Sequence, residues 1–243
     1  MNINNDLLII HLTHHKCGTV WFGNIFQKIS KKFNIKYQSC KQDELDKDTN
    51  IWMQNHGDID FSKINKHYVG SHMIRDPRDV LISGYFYHKW CSEEWCNRKR
   101  DDFNNKSFKD ILNELSKDKG LLFEMEHITR SYINILKKWN FNNPNILEIK
   151  YEDYITNENN FIDLFEKYKF NNQTINEAFK IVKLCHFKNK TKRNLGDEKE
   201  KVHTRKGSPG DWKNHFKEVH KIKFKELYPD ILIKLGYEKD NNW

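Results

Sequence analysis

Long apolar runs are missing from this chain of 243 residues: no stretch approaches the ~20 residues that a membrane span needs. The opening "MNINNDLLIIHLTHHK" has only a short apolar run and no basic leader, so it reads as a first strand and not as a signal peptide. Cysteines are few and odd in number. Cys17, Cys40, Cys91, Cys96 and Cys185 fall at irregular spacings, a poor disulfide framework that fits a reducing compartment. No internal repeat is present. Also absent is the triphosphate-binding pattern G-x-x-x-x-G-K-[ST], because the single glycine of "THHKCGTVWF" (13–22) follows the lysine. These absences exclude a membrane-spanning chain and a disulfide-stapled scaffold, and they predict a soluble, cytoplasmic protein. What the chain does hold is 14% aromatics within 37% hydrophobic residues, enough for a core despite a mean hydropathy of −0.90. Net charge is +8, which favours anionic partners, although a lysine-rich composition alone would produce the same excess.

Periodicity predicts an α/β fold, a single domain over 1–243 with a central parallel sheet flanked by helices. "DLLIIHL" (6–12) reads as a strand buried on both faces, and Val20, Trp21, Phe22, Ile25, Phe26, Ile29 and Phe33 then recur at helical spacing. A second strand–loop–helix unit runs from "HYVGSHMI" (67–74) into "RDPRDVLISGYFYHKW". There Asp76 suits an N-cap, Pro77 the first helical position, and Asp79 the acid of a capping box. "NILEIKY" (145–151) is a third strand, followed by a helix from near Asn157; further helices are expected over 107–117, 121–139 and 174–185. Residues 188–215 are charged and nearly without apolar side chains. So long a loop in a compact domain points to a mobile lid, over 188–211, or to a solvated linker.

The loop at 13–22 lies between a buried strand and a helix N-terminus, where backbone N–H groups and the helix dipole favour an anion. Gly18 lets the backbone approach a ligand, Lys16 adds charge and Thr19 a hydroxyl. A metal reading is weak, since His14 and His15 are adjacent and diverge in extended chain. Cys17 at a helix N-terminus could be an activated thiolate, but a small loop residue is the simpler reading. "HKWCSEEWCNRKR" (88–100) offers His88, Cys91 and Cys96, only three local zinc ligands with no second pair to answer them.

Two more motifs join the loop. "RDPRDVLIS" sets Arg75 at a strand end with Ser83 eight residues on, and "RKGSPGDWKNHF" (205–216) carries Arg205, Lys206 and Gly207. With "KCGTVW", these resemble the 3′-phosphoadenosine 5′-phosphosulfate (PAPS)-dependent sulfotransferases, whose three motifs occur in this order. The resemblance spans about residues 6 to 216 and implies a P-loop-like sulfotransferase fold. It also implies sulfuryl transfer to a hydroxyl or, secondarily, an amine of a small-molecule acceptor, releasing 3′-phosphoadenosine 5′-phosphate (PAP). Lys16, Cys17, Gly18, Thr19 and Val20 then match the loop around the 5′-phosphosulfate, with Lys16 countering charge on the leaving oxygen. Trp21 and Phe187 match the aromatics on either face of the adenine, with Tyr151 and Cys185 beside it. Arg75, Ser83, Arg205, Lys206 and Gly207 match the groups around the 3′-phosphate. His56 falls where the family has its general base.

This sequence also departs from the family pattern. Cys17 and Val20 stand where the family has serine and threonine, Cys185 where a threonine is expected, and Gln54 where a lysine often precedes the base. The family's dimer signature is broken around Lys213, Lys217, Glu218 and Ile222, leaving the oligomeric state open. Competing bases are His11, His14, His15 and His72, of which His11 and His72 lie within strands and are expected to pack. Neither a metal, a nucleic-acid partner nor a membrane is implied. The rival classes are a nucleotide-dependent small-molecule kinase, which lacks its usual Mg²⁺-holding pair after Thr19, and a basic nucleic-acid- or heparin-binding module.

Overall fold

The computed structural model describes residues 6–243. They divide into two compact units, one running to Arg75 and resuming over Trp139–Leu195, the other made of Asp76–Lys138 and Gly196–Trp243.

The first unit holds a five-stranded sheet: β1 (Leu7–Thr13), β2 (Tyr37–Ser39), β3 (Ile51–Asn55), β4 (His67–Ile74) and β5 (Ile146–Lys150). The strand order is β2-β3-β1-β4-β5 and every pairing is parallel. β1 is central and, as its apolar run predicts, covered on both faces. Ile9 packs into the larger core with Phe22, Ile25, Phe26 and Ile29, whereas Leu8, Ile10 and Leu12 pack with Trp52 on the other face. Those four helical side chains sit at helical spacing on α1 (Thr19–Phe33). Their burial contributes roughly 1.5–3 kcal/mol each before chain entropy is charged. Lys31 and Lys32 occupy the last turn, where cations complement the helix dipole, and left-handed Asn34 closes the helix with its N–H on the Ser30 carbonyl.

Parallel register also fixes which polar groups meet. β1 and β4 set His11 opposite Ser71, and β4 and β5 set His72 opposite Glu148. The third strand ends one residue earlier than expected. Tyr151 instead opens a short helix, Tyr151–Thr156, so the helix foreseen from near Asn157 is the second of two and spans Asn160–Lys167. Asn172–Cys185 is helical close to the expected bounds.

In the second unit, α2 (Pro77–His88) begins as its sequence indicates, with Pro77 in the first turn and the Asp76 carboxylate accepting from the Arg78 N–H. Asp79 also acts beyond its own helix. Its two oxygens accept the backbone N–H groups of Gly210 (2.7 Å) and Trp212 (2.9 Å). Arg78 bonds Asp76 and Glu238 while its guanidinium lies 3.9 Å from the Trp212 ring and 4.6 Å from the Trp243 ring. Helix Phe108–Glu114 starts from a capping box of Ser107 and Asp110. The helix expected over 121–139 starts four residues earlier and runs Lys117–Lys138 through a wider turn at Met125–Thr129.

Candidate active site

The loop after β1 is shaped by two residues in the left-handed region, Lys16 (φ 65°) and Gly18 (φ 85°). A Cβ on Gly18 would stand 3.2 Å from the Met73 sulfur and 3.3 Å from the Tyr151 ring, so both backbone angle and space require glycine there. Gly18 caps α1 with no side-chain bond, and helix geometry leaves the N–H groups of Thr19 and Val20 without partners inside the helix, a setting that favours an anion. The loop is braced from inside. The His14 carbonyl accepts from the Cys17 N–H (3.0 Å) and the Thr19 hydroxyl (3.1 Å), and the Thr13 hydroxyl donates to the Cys17 carbonyl (3.1 Å). Thr19 therefore spends its proton within the loop, and a ligand there would meet chiefly amides and Lys16. Cys17 is fully buried with its thiol against the His15 carbonyl, the position of a structural residue and not of an exposed thiolate. Val20 is exposed.

Arg75, at the end of β4, donates from Nη1 to the Lys16 carbonyl (3.0 Å), and its guanidinium lies 4.5 Å from the centre of the Tyr151 ring. The second motif's arginine thus supports the first motif's loop. Trp21 stands edge-on to Tyr151 (6.0 Å) and Phe161 (5.5 Å), and its buried indole Nε1 has no hydrogen-bond partner among the described residues. Phe187 and Cys185 are buried in the same core, so Phe187 is no surface residue, and the Arg193 guanidinium lies 5.1 Å from its ring centre.

His56 follows β3. Asn55 pairs in register with Thr13, and the His56 N–H donates to the Thr13 carbonyl (2.8 Å), which anchors this histidine to the residue that opens the loop. Its ring is exposed and its φ of 78° is unusual for a residue with a Cβ, the kind of local strain that concentrates at functional positions. Gln54, buried beside it, donates to the Asp58 carbonyl.

The competing histidines are accounted for by their packing. His11 is buried, stacks on Phe22 at 4.3 Å and bonds Ser71; burial, then the field of His72, lowers its pKa to about 3. His14 is also buried, and burial first and His72 next hold its pKa well below the usual value. His72 is not merely packed: its Nε2 lies 2.7 Å from His14 Nε2 and its Nδ1 2.6 Å from Glu148 Oε2.

In the second unit, the third motif is an ion cluster. Asp211, almost fully buried, receives Arg205, Lys206, Asn214 and His215, while Arg205 also pairs with Glu198 and lies 4.4 Å from the Phe86 ring centre. Burial pushes the Asp211 carboxyl upward, but these four partners together hold it well below the ordinary carboxylate range. Gly207 takes a φ of 74°. Residues 196–206 close on themselves through backbone bonds from Gly196 to Lys206 (3.0 Å) and Lys199 to Arg205 (2.9 Å), more internal structure than the apolar-poor sequence suggests. Ser83 is half-buried on α2.

The zinc possibility at 88–100 meets a different arrangement. His88 Nδ1 is 2.9 Å from the buried Glu124 carboxylate, and the Cys96 thiol donates to the His88 carbonyl. No group of three or more His, Cys, Asp or Glu side chains is gathered for a metal among the described residues. All five cysteines are thiols, and no described helix is long and apolar enough to cross a membrane.

Two contributions escaped sequence reasoning. Asp79 as the acceptor for the 210–212 backbone has no local signature. The His14–His72–Glu148 chain had a partial one, an acid at the middle of an otherwise apolar strand, which only the β4–β5 register connects to His72.

A parallel sheet with a loop of this kind at the head of α1 is an architecture that nucleotide- and phosphate-handling α/β proteins use. The sulfotransferase domain family matches residues 71–236, more than half of the chain. Among solved structures, mouse sulfotransferase SULT7A1 complexed with PAP superposes with a TM-score of 0.58 at 16% identity, covering 96% of this chain and 88% of that one. Retinol dehydratase in complex with androsterone and the inactive cofactor PAP gives a TM-score of 0.60 at 15% identity, covering 96% and 82%. The same enzyme in a complex with retinol and PAP gives 0.58 at 16%, covering 96% and 82%. No curated protein sequence matches. At such identities the superpositions establish the fold. The chain belongs to the sulfotransferase family.

Proposed function

We propose that this sulfotransferase passes the sulfuryl group of PAPS to a hydroxyl, or secondarily an amine, of a small-molecule acceptor, with His56 as general base. The acceptor oxygen attacks sulfur in line and gives its proton to the imidazole. The bond from sulfur to the bridging phosphate oxygen breaks, and PAP leaves with the electron pair. Lys16 and the amides of Gly18 to Val20 counter the charge that grows on that oxygen. A sulfuryl group carries less charge than a phosphoryl group, so a lysine and backbone amides suffice without a metal. Trp21, Phe187, Tyr151 and Cys185 serve the adenine, and Arg75, Ser83, Arg205, Lys206 and Gly207 serve the 3′-phosphate. We assign these roles on the motif order. In this reading both units belong to one functional domain, 188–211 is a lid that the donor orders, and the enzyme works in the cytoplasm without a nucleic-acid or membrane partner.

One observation carries the base assignment: strained His56 is hydrogen-bonded through its backbone to Thr13, the residue that opens the Lys16 loop. An acceptor library screened with PAPS supplies the substrate for the test. His56→Ala is expected to lower turnover by ~10²- to 10⁴-fold while PAP affinity stays nearly unchanged. Lys16→Ala is expected to lower both, since one ammonium group serves ground state and transition state. Normal turnover in His56→Ala would remove His56 from the reaction.

A further inference from the structure

A polar chain, Glu148–His72–His14, links half-buried Glu148 through two buried histidines to the Lys16 loop and has no part in the roles above. Its geometry is fully determined. Glu148 Oε2 is 2.6 Å from His72 Nδ1, its Oε1 accepts the Trp139 indole N–H at 2.8 Å, and the Trp139 ring lies 4.2 Å from the His72 ring. With both carboxylate oxygens engaged, His72 keeps a proton on Nδ1 and cannot rotate. His72 Nε2 then faces His14 Nε2 at 2.7 Å with the rings edge-on. Two lone pairs or two N–H groups would repel at that distance, so a single proton lies between them.

Three segments meet at the His14 ring. The residue's own carbonyl carries the Cys17 N–H and the Thr19 hydroxyl of the loop. Its ring is tied to β4 through His72. The turn after His56 is seated directly on it, for a Cβ on Gly57 would come 2.6 Å from His14 Cε1. Both rings are essentially inaccessible to water. A phenylalanine would fill the same space, but it would not fix the direction of the ring. Breaking either bond of the chain would take a partner from a buried ring nitrogen, so the two bonds together favour a single arrangement of the rings.

We propose that His14 is a positioning residue for sulfuryl transfer: the Glu148–His72–His14 chain sets the 5′-phosphate end of the donor loop. The inference rests on the PAPS reading. Glu148→Gln tests it, because an amide that keeps the Trp139 bond through its oxygen presents N–H to His72 Nδ1 and so removes the acceptor that holds the His72 ring. Trp139→Phe is a milder second variant that removes one donor to Glu148 and keeps a ring beside His72. The readout is calorimetric affinity for PAP and for adenosine 3′-monophosphate, which lacks the 5′-phosphate. Glu148→Gln is expected to weaken PAP at least 5-fold and leave the monophosphate within 2-fold, with Trp139→Phe shifting PAP in the same direction by less. Equal losses for both ligands would make the chain a stability element only, and unchanged affinities would remove it from the site; either result overturns the proposal. If the unaltered protein binds neither ligand, the PAPS reading fails, and this inference with it.

Discussion

Replacing Asp79 probes how the third motif is held. Its carboxylate is buried and accepts two backbone N–H groups, from Gly210 at 2.7 Å and Trp212 at 2.9 Å. Hydrogen bonds to a charged acceptor contribute about 1.5–3 kcal/mol each, and the alanine variant would take this partner from the buried Trp212 N–H and the half-buried Gly210 N–H. Asp79→Ala is therefore expected to cost about 3–6 kcal/mol, a large share of the stability of a typical domain. Asp79→Asn keeps one acceptor oxygen and turns its amide toward the other donor, so about half that loss is expected. For a chain of this size 1 kcal/mol moves the melting temperature by roughly 2–4 °C, which puts the asparagine variant about 3–12 °C below the parent. Differential scanning calorimetry reads this directly. PAP affinity should fall as well, because Arg205, Lys206 and Gly207 immediately precede the segment Asp79 anchors. An asparagine variant that melts within 1 °C of the parent would refute the reasoning.

Acid should destabilise the protein in a window set by its buried histidines. His11, whose pKa falls to about 3, and His14, also lowered, stay neutral in the fold but protonate near 6.5 once unfolded. Between those values the unfolded chain binds more protons, so stability falls as pH drops from ~6.5, by about 1.4 kcal/mol per unit for each histidine. Asp211, with its lowered pKa, contributes stability above its ordinary value near 4 that is lost only below it, so it leaves the upper part of the window to the histidines. Urea midpoints at pH 7, 6 and 5 should decline, and less steeply in His11→Phe; a flat profile would contradict this. For the lid, limited proteolysis within 188–211 should slow when PAP is added, and equal rates with and without PAP would dispose of it.

The central strand was readable because β1 is apolar throughout, and α1 because its large side chains repeat at 3.6-residue spacing. The Asp76–Pro77 start of α2 was equally plain, since N-cap chemistry is local. Tyr151 was read as strand because aromatic residues suit strands, yet the sheet ends at Lys150 and the acidic Glu152 and Asp153 favour a first helical turn. Asp79 satisfied a local pattern, but its partners lie more than 130 residues away, beyond any window of sequence. His14, His72 and Glu148 come from three separate stretches, and strand register decides that they touch. In the loop itself, Lys16 and Gly18 could be named from sequence. That the Thr19 hydroxyl is used internally, and that Arg75 braces the Lys16 carbonyl, follows only from the backbone path.

The most direct measurement of the central claim is thermal unfolding with PAP against unfolding with ATP and Mg²⁺. If PAPS is the donor, its product PAP at ~100 times its dissociation constant should add roughly 2.7 kcal/mol of stability, with no metal required, and ATP should add little. A melting temperature that rises with ATP and Mg²⁺ but stays unmoved by PAP would contradict the account and favour a nucleotide-dependent kinase.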